Sequence, residues 1–110
     1  MNWYQNLYIG QTASEKCEDI IQKIENRQNL LTVYLITVAP DERNQLEIIT
    51  PTVYYRQEKR YGAPMIVGIA CGMREARSLV VQMTQDVYDK TKSAYFRSYF
   101  LEEQKCEFNM

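Results

Sequence analysis

The sequence contains no histidine among its 110 residues. This absence excludes Ser-His and Cys-His catalytic pairs, and it excludes zinc sites that use imidazole ligands. The three cysteines (Cys17, Cys71 and Cys106) are widely spaced and form no Cys-x-x-Cys pair. One chain therefore cannot supply four cysteine ligands to zinc, and an odd number of free thiols fits a reducing cytoplasm better than a disulfide framework. We expect no cofactor and no metal.

A surplus of positive charge and a long apolar run are also lacking. Thirteen Lys and Arg side chains nearly balance fourteen Asp and Glu side chains, and the formal net charge is -1. Such a chain lacks the positive field that usually accompanies nucleic-acid binding, so a nucleic-acid partner is not expected. The apolar stretches at 30–39 and 65–71 are too short to span a bilayer. The first residues show no basic region followed by an apolar run, so we expect no signal peptide and a cytoplasmic protein with no membrane partner.

What the sequence does contain is an alternation of helical and strand patterns. Thr12-Ala13-Ser14-Glu15 fits a capping box that would begin the first helix at Thr12. Apolar residues at helical spacing predict helices or helical turns at 12–25, 44–49, 50–61 and 74–92. Continuous apolar or aromatic runs predict strands at 30–39, 64–71 and 94–101. In the last helix, Val81 and Tyr88 are expected to widen the buried apolar face.

This alternation predicts an α/β fold of element order α-β-α-β-α-β. Each connection between strands contains a helix, so a small, mostly parallel three-stranded sheet flanked by helices is the simplest arrangement. Residues 1–101 are expected to form a single domain, and 102–110 a flexible C-terminal extension. Residues 1–10 are rich in large apolar side chains, which predicts a segment docked on that domain.

Several segments together resemble a family of small proteins from Firmicutes-type bacteria to which no activity is assigned. The resemblance covers about residues 1–101. It rests on Trp3-Tyr4, Leu7-Tyr8-Ile9-Gly10, Val33-Tyr34-Leu35-Ile36-Thr37-Val38-Ala39, Leu46-Glu47-Ile48-Ile49-Thr50-Pro51, Ile66-Val67-Gly68-Ile69-Ala70-Cys71-Gly72 and Phe96-Arg97-Ser98-Tyr99-Phe100. It implies no catalytic residue, cofactor or ligand.

The turn between the strand at 64–71 and the long helix is the first candidate site. Ligands of open parallel sheets bind at the carboxyl ends of the strands, and a helix N-terminus offers unpaired N–H groups to an anion. Gly72 would let a ligand approach the backbone, and Arg74 would add positive charge. The predicted ligand-binding residues are Cys71, Gly72, Met73 and Arg74, and the ligand would carry a phosphate or carboxylate. The segment matches neither Gly-x-Gly-x-x-Gly nor a P-loop, and a plain structural turn is the simpler interpretation.

The thiol of Cys71 and the basic residues near position 60 offer two weaker candidates. A thiol at a helix N-terminus can become nucleophilic, but no histidine is present to act as its base. Arg56, Lys59 and Arg60 would share one face of a helix, beside tyrosines that could stack on bases. Glu58 interrupts this run, and a solvated helix face is the favoured interpretation.

The leading functional prediction is therefore binding rather than catalysis. No catalytic constellation is recognisable, whereas nine tyrosines and open sheet edges favour self-association. We expect a non-enzymatic interaction or regulatory protein that acts as a homodimer or other homo-oligomer. The predicted interface residues are Trp3, Tyr4, Tyr95, Arg97 and Tyr99. The alternative is a small-anion binder or enzyme that uses the turn at Cys71–Arg74.

Overall fold

A computed structural model describes residues 1–38 and 46–91. Helices and strands alternate along this part of the chain. In chain order they are β1 (Asn2–Ile9), α1 (Gln11–Ser14), α2 (Cys17–Glu25), β2 (Val33–Val38), β3 (Leu46–Ile49), α3 (Pro51–Tyr61), β4 (Met65–Cys71) and α4 (Met73–Thr91). The predicted strand at 94–101, the extension at 102–110 and the interface residues Tyr95, Arg97 and Tyr99 lie outside the described residues.

The described strands form one mixed sheet of order β1-β4-β2-β3. β1 runs parallel to β4, whereas β2 runs antiparallel to both β4 and β3. The prediction of a three-stranded, mostly parallel sheet is therefore wrong, although the fold is α/β. β2 and β3 form an antiparallel pair, so the chain has already reversed its direction before α3 begins. The crossover through α3 consequently joins β3 to β4, which are both antiparallel to β2.

Two segments account for the strands that the sequence analysis missed. Residues 2–9 pair with β4 as an edge strand of the described sheet, instead of docking on its surface. The predicted helical turn at 44–49 is also wrong, because Leu46–Ile49 pairs with β2. Its two isoleucines favour a strand. Strand propensity and pairing with β2 decide the conformation of this short segment.

Helices cover both faces of the sheet, which gives three layers with two cores. On one face, Leu79, Met83 and Val87 of α4 pack with buried residues of the strands, among them Ile36 and Val67. On the other face, the residues that α1, α2 and α3 contribute are Ala13, Ile20, Ile24 and Tyr54. Tyr54 is fully buried, and its hydroxyl donates a hydrogen bond to the carbonyl oxygen of Pro64 at 3.0 Å. Both cores depend on the hydrophobic residues of β2 and β4, the central strands.

The predicted boundaries hold for α3 but not for the first helix. The Thr50 hydroxyl accepts a hydrogen bond from the Val53 amide at 3.3 Å, Pro51 opens α3, and Gly62 follows its end with φ of 83°. The Thr12 capping box is wrong. α1 begins at Gln11 after Gly10 with no side-chain cap of its own, and the helical pattern is interrupted before α2. None of the helices in residues 1–38 and 46–91 has the length and apolar character that a bilayer span requires.

Candidate functional site

A crevice lies where the parallel neighbours β1 and β4 end. The helices that follow these strands pack on opposite faces of the sheet, since α1 joins one core and α4 the other. Such a divergence opens a crevice at the carboxyl ends of parallel strands, the usual place for a ligand in α/β sheets. A cavity of about 730 Å³ occupies this place, with Gly10 and Thr12 on one side and Cys71, Arg74 and Glu75 on the other.

The four predicted ligand-binding residues surround the end of β4, and two of them, Cys71 and Arg74, line the crevice. Gly72 turns the chain with φ of 93°, in the left-handed region that glycine adopts without strain. Its amide donates a hydrogen bond to the carbonyl oxygen of Thr32 at 2.8 Å. The Gly72 amide is therefore engaged within the fold, while the Arg74 side chain is exposed at the rim.

The Glu75 carboxylate lies in the crevice, next to the turn where the sequence predicted an anionic ligand. Its Oε2 accepts a hydrogen bond from the Cys71 amide at 2.5 Å, and its Oε1 accepts one from the Thr12 amide at 2.6 Å. One side chain of α4 therefore binds backbone donors at the end of β4 and in the first turn of α1. This carboxylate supplies the N-terminal cap that Thr12 and Glu15 were expected to supply.

Gly10 makes this arrangement possible by its lack of a side chain. A Cβ atom at position 10 would overlap the Glu75 carboxyl group, with Oε2 only 2.5 Å away. Gly10 is itself buried, and its amide donates to the carbonyl oxygen of Ile69 at 2.9 Å. The role of Gly10 is thus close packing. The sequence offers one signal for this role, a glycine immediately after an apolar segment.

The pKa values of the crevice follow from these contacts. Partial burial alone would raise the pKa of Glu75, but hydrogen bonds from the amides of Cys71, Thr12 and Ala13 and from the Thr12 hydroxyl lower it below its usual range. For Cys71, burial raises the pKa of the thiol and the Glu75 charge raises it further, against a smaller lowering by Lys16. The carboxylate is therefore ionised and the thiol protonated at neutral pH. The hypothesis of an activated Cys71 nucleophile loses its physical basis.

The two predicted interface residues in the described part belong to β1. Tyr4 is 4% exposed and packs in the core beneath α4. Trp3 is half-buried on the opposite face, and its indole Nε1 has no hydrogen-bond partner among the described residues. Most of the apolar surface of these two side chains is therefore buried within the protein and is not available to a partner.

The outer face of α4 carries the apolar surface that the sequence analysis assigned to the core. Val81 and Tyr88 are 69% and 51% exposed, so the prediction that they widen the buried face is wrong. At 100° per residue, Val81 lies on the side of the helix opposite Leu79, Met83 and Val87. Arg74, Val81 and Tyr88 are seven residues apart and form one line along α4. We call this line, with the exposed residues beside it, the outer face of α4.

The structure places Arg56, Lys59 and Arg60 together on the exposed surface of α3, as their spacing predicted. They line a groove of about 680 Å³ with Val53, Gln57 and Tyr61. Glu58 interrupts the positive run in the sequence, but its side chain points away from these cations and forms an ion pair with Arg27 at 2.8 Å. We call these six lining residues the α3 groove.

Neither a cluster of metal ligands in the described residues nor a similar known protein points to another site. Over residues 1–38 and 46–91, no three side chains of metal-binding type lie close enough together to hold an ion. The chain matches no family model, no curated protein and no solved structure. The resemblance to a family of small bacterial proteins therefore stays a prediction, and the function has to be argued from the geometry.

Proposed function

We propose that the protein is a non-enzymatic interaction or regulatory protein that acts as a homodimer through the outer face of α4. The observation that carries the proposal is the pair of exposed apolar side chains on this helix, Val81 and Tyr88. They lie on one line with Arg74, so that one straight face combines apolar, aromatic and cationic groups. Exposed apolar surface flanked by polar residues is typical of a protein interface.

The sequence of this face suits a second copy in antiparallel orientation. A two-fold axis through Val81 places the two Val81 side chains in contact and sets Arg74 opposite Tyr88 of the second copy. A guanidinium over a tyrosine ring is a favourable cation–π pair. The arrangement is isologous, so each such contact occurs twice.

Charges along the face are complementary under the same symmetry. Arg74 and Arg77 lie toward the N-terminal end of α4, and Asp89 lies toward the C-terminal end. In the antiparallel pair, Arg74 comes within reach of Asp89 of the second copy. The two Arg74 side chains stay about 21 Å apart along the helix, so like charges do not meet. A parallel pairing would instead place arginine beside arginine, which favours the antiparallel orientation.

The crevice beside Glu75 supports catalysis less well than the outer face of α4 supports association. Its carboxylate is held ionised by backbone donors, and its thiol is held protonated, so neither is poised to exchange a proton near neutral pH. The alternative function, binding of a small anion at this turn, faces the same obstacle. Two backbone donors beside the turn, the amides of Cys71 and Thr12, already bind Glu75, and its negative charge would repel an anion there.

Sedimentation equilibrium of the full chain tests the proposed dimer. One helix face is a small interface, so we expect association at micromolar concentrations, with masses between one and two chains. Val81→Glu places two carboxylates at the symmetry axis and should raise the dissociation constant at least about tenfold. Leu31→Glu is the matched control, because Leu31 is 83% exposed and lies outside α4. Circular dichroism should show that both variants are folded.

Exchange of charges provides a second arm of the same experiment. Arg74→Glu and Asp89→Arg should each weaken the dimer, because each creates a like-charge pair across the interface. The double variant restores opposite charges and should recover most of the affinity. A wild-type protein that stays monomeric at millimolar concentration would contradict the proposal. So would equal weakening by Val81→Glu and Leu31→Glu.

A further inference from the structure

We propose that the α3 groove binds a nucleotide, with its phosphate on Arg56, Lys59 and Arg60 and its base stacked on Tyr61. The ligand class includes free nucleotides and nucleotides within a single strand, which share this chemistry. The groove, of about 680 Å³, is open to solvent, and its described lining comes from one helix. This site is separate from the proposed dimer contact, because α3 and α4 pack on opposite faces of the sheet.

The local charge of the groove is positive although the protein as a whole is slightly acidic. Arg56, Lys59 and Arg60 are exposed, and none of them forms an ion pair within residues 1–38 and 46–91. Glu58 is drawn to the other side of α3 by Arg27, at 2.8 Å. Unpaired guanidinium and ammonium groups around one concave surface are suited to phosphate oxygens.

One acid of a neighbouring element, Glu47 of β3, contacts a residue of the groove. Its Oε2 accepts a hydrogen bond from Nε2 of Gln57 at 3.2 Å, so this carboxylate is held against the wall of the groove by an uncharged partner. Three cations line the groove and this carboxylate does not, so the lining formed by the described residues is cationic. Glu47 also fixes the Gln57 amide, which lines the groove between the cations.

Tyr61 gives the groove an aromatic surface beside its positive charge. Its side chain is 61% exposed, and the Arg60 guanidinium carbon lies 5.9 Å from the centroid of its ring. The ring therefore keeps an open surface for a base, while Val53 supplies an apolar contact. Cations combined with an exposed aromatic ring favour a nucleotide over inorganic phosphate, which would use the cations alone.

Stabilisation of α3 by its helix dipole accounts for only some of the residues in the α3 groove. Lys59 and Arg60 lie in the last turn of α3, where positive charge interacts favourably with the helix dipole. Arg56 lies a full turn earlier, and Tyr61 offers no such stabilisation. A purely structural role for the basic residues therefore leaves the composition of the groove unexplained.

Fluorescence anisotropy with labelled oligothymidylate and oligouridylate, each about ten nucleotides long, tests the proposal at low salt. We expect saturable binding that weakens as salt is raised. Arg56→Gln combined with Arg60→Gln should reduce affinity about tenfold. As a control, Lys16→Gln combined with Lys23→Gln removes two positive charges from α2 and the residue before it, and should change affinity less than about twofold.

Competition by unlabelled AMP separates the two ligand sources. Displacement of the oligonucleotide indicates a site for free nucleotides, whereas no displacement indicates a site for single strands.

The aromatic part of the proposal has its own variants. Tyr61→Ala should weaken oligonucleotide binding about fivefold or more, whereas Tyr61→Phe keeps the ring and should retain affinity. No binding of any of these probes at low salt would overturn the proposal. Equal losses in the α3 and Lys16/Lys23 variants would also overturn it, by showing that only total charge matters. Val81→Glu should leave binding of the free nucleotide unchanged, so failure of the dimer and failure of this site are distinguishable.

Discussion

Glu75 is the residue whose surroundings most change the interpretation of the sequence. A glutamate in the first turn of a helix usually lies in solvent and interacts with the helix dipole. Here its carboxylate leaves the surface of α4 and binds the amides of Cys71 and Thr12, at 2.5 Å and 2.6 Å. Hydrogen bonds to a charged acceptor are stronger than those between neutral groups. The contact therefore adds to the stability of the fold.

Glu75→Gln should destabilise the protein by about 2 kcal/mol at neutral pH, because a neutral amide accepts these bonds less well and adds a competing donor. The folded state holds the pKa of Glu75 below its ordinary value of 4.5, so this stability is present above that pH. It is lost as the pH falls through the lowered pKa of the folded state. Urea denaturation should show the difference in stability between wild type and variant shrinking as the pH is lowered below 4.5.

The control for this measurement is Glu25→Gln. Glu25 is exposed at the end of α2, and its side chain forms no hydrogen bond or ion pair to other described residues. Its substitution should change the free energy of unfolding by less than about 0.5 kcal/mol. A Glu75→Gln variant as stable as this control at neutral pH would show that the Glu75 hydrogen bonds contribute nothing.

At the scale of the element, α3 is determined by its own residues. Thr50 caps its first turn, Pro51 fits the first helical position, and Gly62 ends it in a conformation that other residues adopt only with strain. β3 is the opposite case. Its four residues carry too little pattern to distinguish a strand from a helical turn, and its conformation follows from pairing with β2.

Thr50→Ala should therefore destabilise the protein by about 1 kcal/mol, through loss of the hydrogen bond from the Val53 amide. Thr52→Ala is the matched control, since Thr52 is exposed within α3 and its hydroxyl only donates to the Asn29 side chain. Thermal unfolding of the two variants should separate them, with the melting temperature of Thr52→Ala close to that of wild type. Equal melting temperatures would show that the cap contributes no stability.

At the scale of the whole molecule, the Gly10–Glu75 contact links layers that share no side-chain core. α1 belongs to one core and α4 to the other, and Glu75 crosses the end of the sheet between them. The two layers are also joined through β2 and β4, whose side chains enter both cores. Unfolding of either layer should consequently destabilise the other, which favours a single cooperative transition.

A double-mutant cycle measures this link. Gly10→Ala should destabilise the wild-type protein by about 2 kcal/mol, because the new methyl group displaces the Glu75 carboxylate. In the Glu75→Ala background the space is empty, and the same substitution should have a smaller effect, with a coupling of at least about 1 kcal/mol. Additive effects in chemical denaturation would contradict the proposed contact.

The sequence by itself determined the features that depend on neighbouring residues. The boundaries of α3, the buried strands at β2 and β4, and the shared face of Arg56, Lys59 and Arg60 follow from local spacing and capping. The position of a candidate site at the end of β4 was also predictable, because strands end where apolar runs meet glycine.

Only the tertiary structure decided which elements pair and what fills the site. β2 runs antiparallel to β4 because the additional strand β3 reverses the chain between them. β3 itself forms through hydrogen bonds to β2, and the local sequence pattern does not reveal that pairing. Thr12 and Glu75 are 63 residues apart in sequence, so no local signal reports their contact. Helical spacing predicts which face of α4 meets the sheet, through Leu79, Met83 and Val87, but it does not fix how wide the buried face is. The packing of α4 on the sheet sets that width, and it leaves Val81 and Tyr88 exposed.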